Sequence, residues 1–173
     1  MSSTIYKKII NWYMNTIIGN LKQYKPIVYN EKTKSYTVSW GLRNIGGDNY
    51  QWNYKIFTSK PSLIAIKDTI NSSINERTKS YIINNFRWND MSIYLSLENQ
   101  IDYSLLFNTT LLLEGSNLPE QVKFKVNGEN IYYTFETLDD MKDFIIAMNN
   151  HIRMHIANGN KAKEEINYDE YKI

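Results

Sequence analysis

From residue 86 onward the chain alternates apolar and polar positions and reverses at pairs of turn-forming residues. Phe86 and Trp88 lead into Asn89-Asp90 and return through Met91 and Ile93. Val122, Phe124 and Val126 lead into Asn127-Gly128 and return through Ile131, Tyr133 and Phe135. Asn, Asp and Gly tolerate the positive φ that a two-residue hairpin turn demands. Both stretches are therefore predicted as hairpins, with Trp88 facing Met91, Phe86 facing Ile93, Phe124 facing Ile131 and Val122 facing Tyr133.

Helical spacing separates these hairpins. Ile5, Ile9, Trp12, Tyr13 and Ile17 recur at that spacing, with Ser3 or Thr4 as a cap and Gly19 or Asn20 as a stop. A second helix is expected after Pro61, with Leu63, Ile66, Ile70 and Ile74 as its buried stripe. A third is capped by Ser96, carries Glu98 in its first turn and ends at Gly115, with Leu97, Ile101, Leu105 and Leu112 toward the core. The last begins at Thr137 and Asp140 and carries Met141, Phe144, Ile145, Met148, Ile152 and Ile156, with Arg153 near its end and Gly159 beyond. Between the first two helices lies a Lys-rich link containing Pro26. After it Tyr36, Val38, Trp40 and Leu42 alternate, turn at Gly46-Gly47, and return through Trp52, Tyr54 and Ile56 as a hairpin with one aromatic face.

This order predicts an α+β fold: α-ββ-α-ββ-α, an antiparallel sheet with helices on one face, preceded by a helix and a hairpin. Three regions are expected, namely a basic helix-hairpin lobe over 1–60, an α+β domain over 61–159, and a polar, flexible arm over 160–173.

A length of 173 residues suffices for one domain, or one with a smaller lobe. No Cys is present, which removes disulfides, thiolate nucleophiles and thiolate metal sites, and fits a reducing compartment. Aliphatic runs such as Leu111 to Leu113 are far short of the roughly 20 residues of a bilayer span, so neither a membrane segment nor a signal peptide is expected. The chain has 23 Ile, 22 Asn, 16 Lys and 14 Tyr against 4 Arg, residues that share A+T-rich codons, so their abundance says little about binding.

Charge is distributed unevenly. Residues 1–60 hold nine bases and two acids, net +7; residues 61–173 hold eleven bases and sixteen acids, net −5. Opposite fields on two regions suit head-to-tail packing of identical subunits, which closes rings when the rotation allows. The bases are nearly all Lys, with neither a basic run nor a nucleic-acid-binding motif.

Candidate chemistry is sparse. His151 and His155 stand four apart, but HIRMH lacks the glutamate of HExxH, and zinc sites use three or four protein ligands. No Ser occupies a GxSxG elbow, so a hydrolase built on His151 is a minor alternative. Asp139, Asp140 and Asp143 favour a helix start, and no EF-hand spacing occurs. Gly46-Gly47 is too short for a phosphate cradle and reads as a turn. The polar run Glu98, Asn99, Gln100 either satisfies a helix N-terminus or contacts a partner. No catalytic residue, metal ligand or cofactor is expected.

IKDTI at Ile66–Ile70, FRWNDMSIYLSLENQIDY at Phe86–Tyr103 and LPEQVKFKVNGENIYYTFETLDDMKDFIIAMNNHI at Leu118–Ile152, with Gly159 and Lys163 beyond, resemble an uncharacterised domain family of tailed phages and prophages of gut Bacteroidales, including the crAss-like group. The resemblance covers about residues 61–166 and not the first 60. Its marks are Phe86 and Trp88, Leu95 to Gln100, Leu118-Pro119, and Tyr133 to Thr137. It implies a virion or tail-associated protein with a structural or assembly role, and transfers no catalytic residue.

The expectation is a non-enzymatic virion protein made in the host cytoplasm. It is a ring-forming subunit of the neck or tail barrel, contacting itself and neighbouring tail or portal-proximal proteins. Proximity of the basic lobe to packaged DNA is compatible with this, without sequence-specific binding. The alternative is a tail-fibre assembly chaperone that binds transiently. The interface residues expected are Lys22, Lys25, Lys32 and Lys34 on one side, Glu164, Glu165, Asp169 and Glu170 on the other, with Glu98, Asn99 and Gln100 as a further polar contact.

Overall fold

A computed structural model describes residues 15–172. The elements in order are β1 (Asn15–Gly19), a 3-10 turn (Leu21–Gln23), β2 (Ile27–Asn30), β3 (Ser35–Gly46), β4 (Asn49–Phe57), α1 (Leu63–Asn84), β5 (Phe86–Trp88), β6 (Met91–Ile93), α2 (Leu97–Leu112), β7 (Glu120–Val126), β8 (Glu129–Phe135), α3 (Leu138–Glu164) and a second 3-10 turn (Tyr168–Tyr171). The fold is α+β with two antiparallel four-stranded sheets, ordered β1-β4-β3-β2 and β5-β6-β7-β8. The chain divides into two compact units, one of residues up to Ile74 together with Glu165 onward, the other of Asn75–Glu164. The break expected at residue 60 thus falls inside α1.

In the second unit the hairpins form as their turn residues dictate. Asn89 and Asp90 take φ of 45° and 60°, Asn127 and Gly128 take 52° and 91°, and these paired positive values match the right-handed twist of the strands. The register is Phe86↔Ile93 and Trp88↔Met91, then Val122↔Tyr133 and Phe124↔Ile131. One face of the sheet is buried beneath α2 and α3. Phe144 of α3 stacks on Phe124 at 5.1 Å and meets Trp88 (5.0 Å), Tyr103 (5.3 Å), Phe135 (5.6 Å) and Phe86 (5.8 Å), mostly edge-on. Such ring pairs add about 0.5–1.5 kcal/mol each beyond area burial, which makes this cluster the centre of the unit's core.

The ends of the helices follow their caps. Ser96 accepts the Asn99 N–H at 3.2 Å and Thr137 accepts the Asp140 N–H at 3.1 Å. After α2, Glu114 and Gly115 turn left-handed (φ 52° and 81°) and the Gly115 N–H closes on Thr110 O at 2.9 Å. Gly159 does not end α3, which continues to Glu164. It is buried there, where a Cβ would run into the Thr78 hydroxyl and lie 3.3 Å from its methyl, so it serves close packing against α1.

The core face of α2 also differs from expectation. Leu97, Ile101, Leu105 and Leu112 are 67%, 50%, 60% and 85% exposed, whereas Tyr103 and Thr110 are buried and Leu106 and Phe107 pack against the core. The helix carries two apolar stripes, and the one containing Tyr103 is anchored by its ring on Phe124 and its hydroxyl on Lys123 O.

In the first unit, Asn15–Gly19 is a strand paired to β4 with Ile17 opposite Trp52, not the end of a helix. β-branched Thr16, Ile17 and Ile18 favour this state. The remaining residues of the expected amino-terminal helix, Ile5, Ile9, Trp12 and Tyr13, lie outside the described residues. The Lys-rich link contains β2, paired along Ile27↔Val38 to Asn30↔Ser35. The β3–β4 hairpin turns at Gly47-Asp48, but its aromatic residues do not share a face. Gly41 (φ 68°) sits at a bulge, and before it the partners are Trp40↔Asn53 and Val38↔Lys55. Trp40 and Trp52 therefore fall on opposite faces, and both are buried. Trp40 Nε1 donates to Ser73 Oγ on α1 at 3.3 Å, while Trp52 meets the Tyr24 ring edge-on. Ile66, Ile70 and Ile74 form the buried stripe of α1 as expected.

Residues 160–172 are not a free arm. Five of them complete α3, and the 3-10 turn returns to the first unit, where Tyr171 is buried and its hydroxyl donates to Ser39 O at 2.8 Å. Burial, then the neighbouring Tyr24, pushes the Tyr171 phenol up.

Candidate interaction surface

An exposed apolar stripe runs along α2 in the second unit. Leu97, Ile101 and Leu105 of α2 and Met148, Asn149 and Ile152 of α3 line an open groove of about 320 Å³. The α2 stripe exists because 97, 101, 105 and 108 share one side of the helix while 103, 106, 107 and 110 share another. Only the second is covered by the sheet. Gln100, Ser104 and Asn108 of α2 complete the lining. A shallow trough of exposed apolar side chains among uncharged polar ones suits the apolar side of a protein segment.

Glu98, Asn99 and Gln100 are divided by the structure. The Asn99 amide donates to Tyr94 O and the Gln100 amide to Leu95 O, each at 2.9 Å, so these two side chains close carbonyls left by the strand-to-helix corner. Gln100 also borders the groove, and Glu98 points into solvent. The run LSLENQ is therefore a structural corner that sets the direction of α2 and, through it, of the groove.

Lys22 lies within the first 3-10 turn and Lys25 just after it, and Lys32 and Lys34 occupy the β2–β3 turn, all four exposed. Glu164 ends α3 in the second unit. Glu165, Asp169 and Glu170 belong to the same unit as the lysines. Asp169 pairs with Lys172 at 2.6 Å, whose hydrogen bond and charge hold that carboxyl below its ordinary value, and Glu170 accepts from the Asn167 amide at 3.1 Å. The four lysines and three of the four acids thus belong to one compact unit. Over the described residues the first unit has nine bases and six acids, net +3, and the second nine bases and twelve acids, net −3. The two units thus carry net charge of opposite sign.

His151 and His155 lie with ring centroids 4.5 Å apart. His151 Nε2 lies 3.0 Å from Ile82 O, to which it donates, and its ring lies on Phe86; His155 lies against Tyr81. Burial, then the His151 charge, lowers the His155 pKa. The pair joins α3 to the end of α1. Among the described residues no group of three or more His, Asp or Glu is placed to hold a metal ion, and no described helix is long and apolar enough to cross a membrane.

Helical spacing alone places Leu97, Ile101 and Leu105 toward the core, whereas the structure leaves them exposed. The signal that separates them was the second stripe on the same helix, with Tyr103 and Phe107 supplying larger surfaces than the leucines opposite. No family model, no curated protein and no solved structure matches this chain.

Proposed function

We propose that this chain is a non-enzymatic structural subunit of a tailed-phage particle, a ring-forming protein of the neck or tail barrel that works by contacts with its own copies and with neighbouring virion proteins. The observation carrying this reading is the α2 stripe: Leu97, Ile101 and Leu105, each at least half exposed, line one side of a groove. Leaving such residues in water is unfavourable by about 25 cal/mol per Å², and association recovers that free energy. Opposite net charges on the two units support head-to-tail packing, the basic unit of one copy meeting the acidic unit of the next. The phage setting rests on the resemblance of residues 61–166.

Native mass measurement tests the assembly. The expected result is a closed oligomer that Ile101→Asp combined with Leu105→Asp converts to monomers without lowering the melting temperature. A chain that stays monomeric at high concentration and is solitary in purified particles defeats the proposal. Absence from mature particles, together with binding to a tail-fibre protein during assembly, transfers the role to the chaperone alternative.

A further inference from the structure

We propose that the solvent face of the β5-β6-β7-β8 sheet is a platform for single-stranded nucleic acid. Strand alternation assigns this face unambiguously. Phe86, Trp88, Ile93, Leu95, Val122, Phe124, Val126 and Phe135 are buried under the helices, so the intervening positions point away from them. Those positions carry three cations, Arg87, Lys123 and Lys125, and two exposed rings, Tyr94 (40% exposed) and Tyr132 (62%), among small polar residues. None of them is a carboxylate. The nearest on that alternation, Glu136, lies beyond the end of β8. A face of charge +3 on a unit of net −3 means that the acids of this unit lie at its turns, strand ends and helices, away from this one surface.

The register brings cations and rings together. Lys123 stands opposite Tyr132, and the Tyr94 N–H donates to Lys125 O at 2.8 Å, with Lys125 Nζ 5.6 Å over the Tyr94 ring. Two strand spacings across and two residues along separate the rings by roughly 12 Å at their Cα atoms. Each ring can then take a base of its own, with Lys123 and Lys125 between them to meet the intervening phosphates. Stacking on tyrosine with lysine and arginine along the backbone is how sheet surfaces hold single strands without reading sequence. A duplex keeps its bases stacked on one another and offers the rings nothing. An acidic protein surface would use the cations but not the rings.

The test is fluorescence anisotropy of a labelled thirty-residue oligo(dT) with the full-length protein. Binding is expected, weakening roughly twentyfold as salt rises from about 50 to about 200 mM if three phosphates are neutralised. Tyr132→Ala should weaken it on the order of tenfold, Tyr132→Phe should retain it, and Lys123→Gln with Lys125→Gln should flatten the salt dependence. All sites are on the surface, so unchanged melting temperatures show that the variants are folded. Replacing Lys22, Lys25, Lys32 and Lys34 by Gln should leave the tyrosine effect intact. The proposal is overturned by failure to bind, by equal affinity for a duplex of the same length, by insensitivity to Tyr132→Ala, or by equally effective competition from polyglutamate. Its outcome does not depend on whether the protein forms rings.

Discussion

The two long hairpins of this molecule are built from similar residues, yet one follows its sequence pattern and the other departs from it. In β7–β8 a two-residue turn at Asn127-Gly128 leaves the pairing in step for seven residues, so every apolar side chain lands on the face its alternation predicts. In β3–β4 the pairing slips between Trp40 and Arg43 and again before Gly46. Each slip inserts one extra residue into β3, so the two strands' alternations disagree between Gly46 and Trp40 and agree again beyond it. Because the two slips together shift the pairing by two residues, they leave Trp40 and Trp52 on the opposite faces that their positions dictate, and the two units differ in architecture. The second unit buries one sheet face and leaves the other polar, whereas the first buries Trp40 on one face and Trp52 on the other. Alternation is a sufficient guide only where the turn fixes the register and no bulge follows.

The largest effect should come from the core that alternation does specify. Phe144→Ala removes the ring that meets five other aromatic side chains and should cost about 3–5 kcal/mol, read by chemical denaturation. A loss below about 1 kcal/mol would mean that the aromatic cluster is not the centre of the second unit. Next is the packing of α3 on α1. Gly159→Val should destabilise by about 1–3 kcal/mol because its side chain meets Thr78, and adding Thr78→Ala should recover part of the loss. Equal losses with and without Thr78→Ala would refute that contact.

A pair of glycine substitutions tests the hairpin comparison directly. Gly41→Ala and Gly128→Ala both place a Cβ at positive φ, at a cost of roughly 1–2 kcal/mol. Gly41→Ala should cost more, since its Cβ also meets the Asn53 amide at 3.1 Å while that of Gly128 meets nothing within 4 Å. Reversal of that order would remove the bulge from the explanation.

The smallest effects are those of pH. Burial raises the Tyr103 phenol to about 12, so its contribution to stability is complete below its ordinary value of about 10 and is lost as pH rises through 12. Tyr171, also raised, should make the first unit sensitive in the same direction. His155 is lowered, so the unfolded chain takes up the proton first; stability is full above about 6.5 and falls as pH drops through the folded value. Tyr103→Phe should reduce the alkaline slope and His155→Asn the acidic one in denaturation curves recorded across pH. Unchanged slopes would assign these dependences elsewhere.

Local chemistry alone determined much of this protein. Turn residues fixed the β5–β6 and β7–β8 registers, Ser96 and Thr137 fixed where α2 and α3 begin, and Gly115 fixed the left-handed turn after α2, because each acts through dihedral angles or hydrogen bonds within a few residues. Choices between two locally equivalent solutions needed the tertiary structure. It selected the Tyr103 stripe of α2 over the leucine stripe, made β1 and β2 strands by giving them partners, carried α3 through Gly159, and returned Tyr171 to Ser39. Those outcomes depend on which surface is available to cover each segment. That surface is supplied by residues far away in the chain, so neither the exposed groove nor the basic, tyrosine-bearing sheet face could be read from periodicity alone.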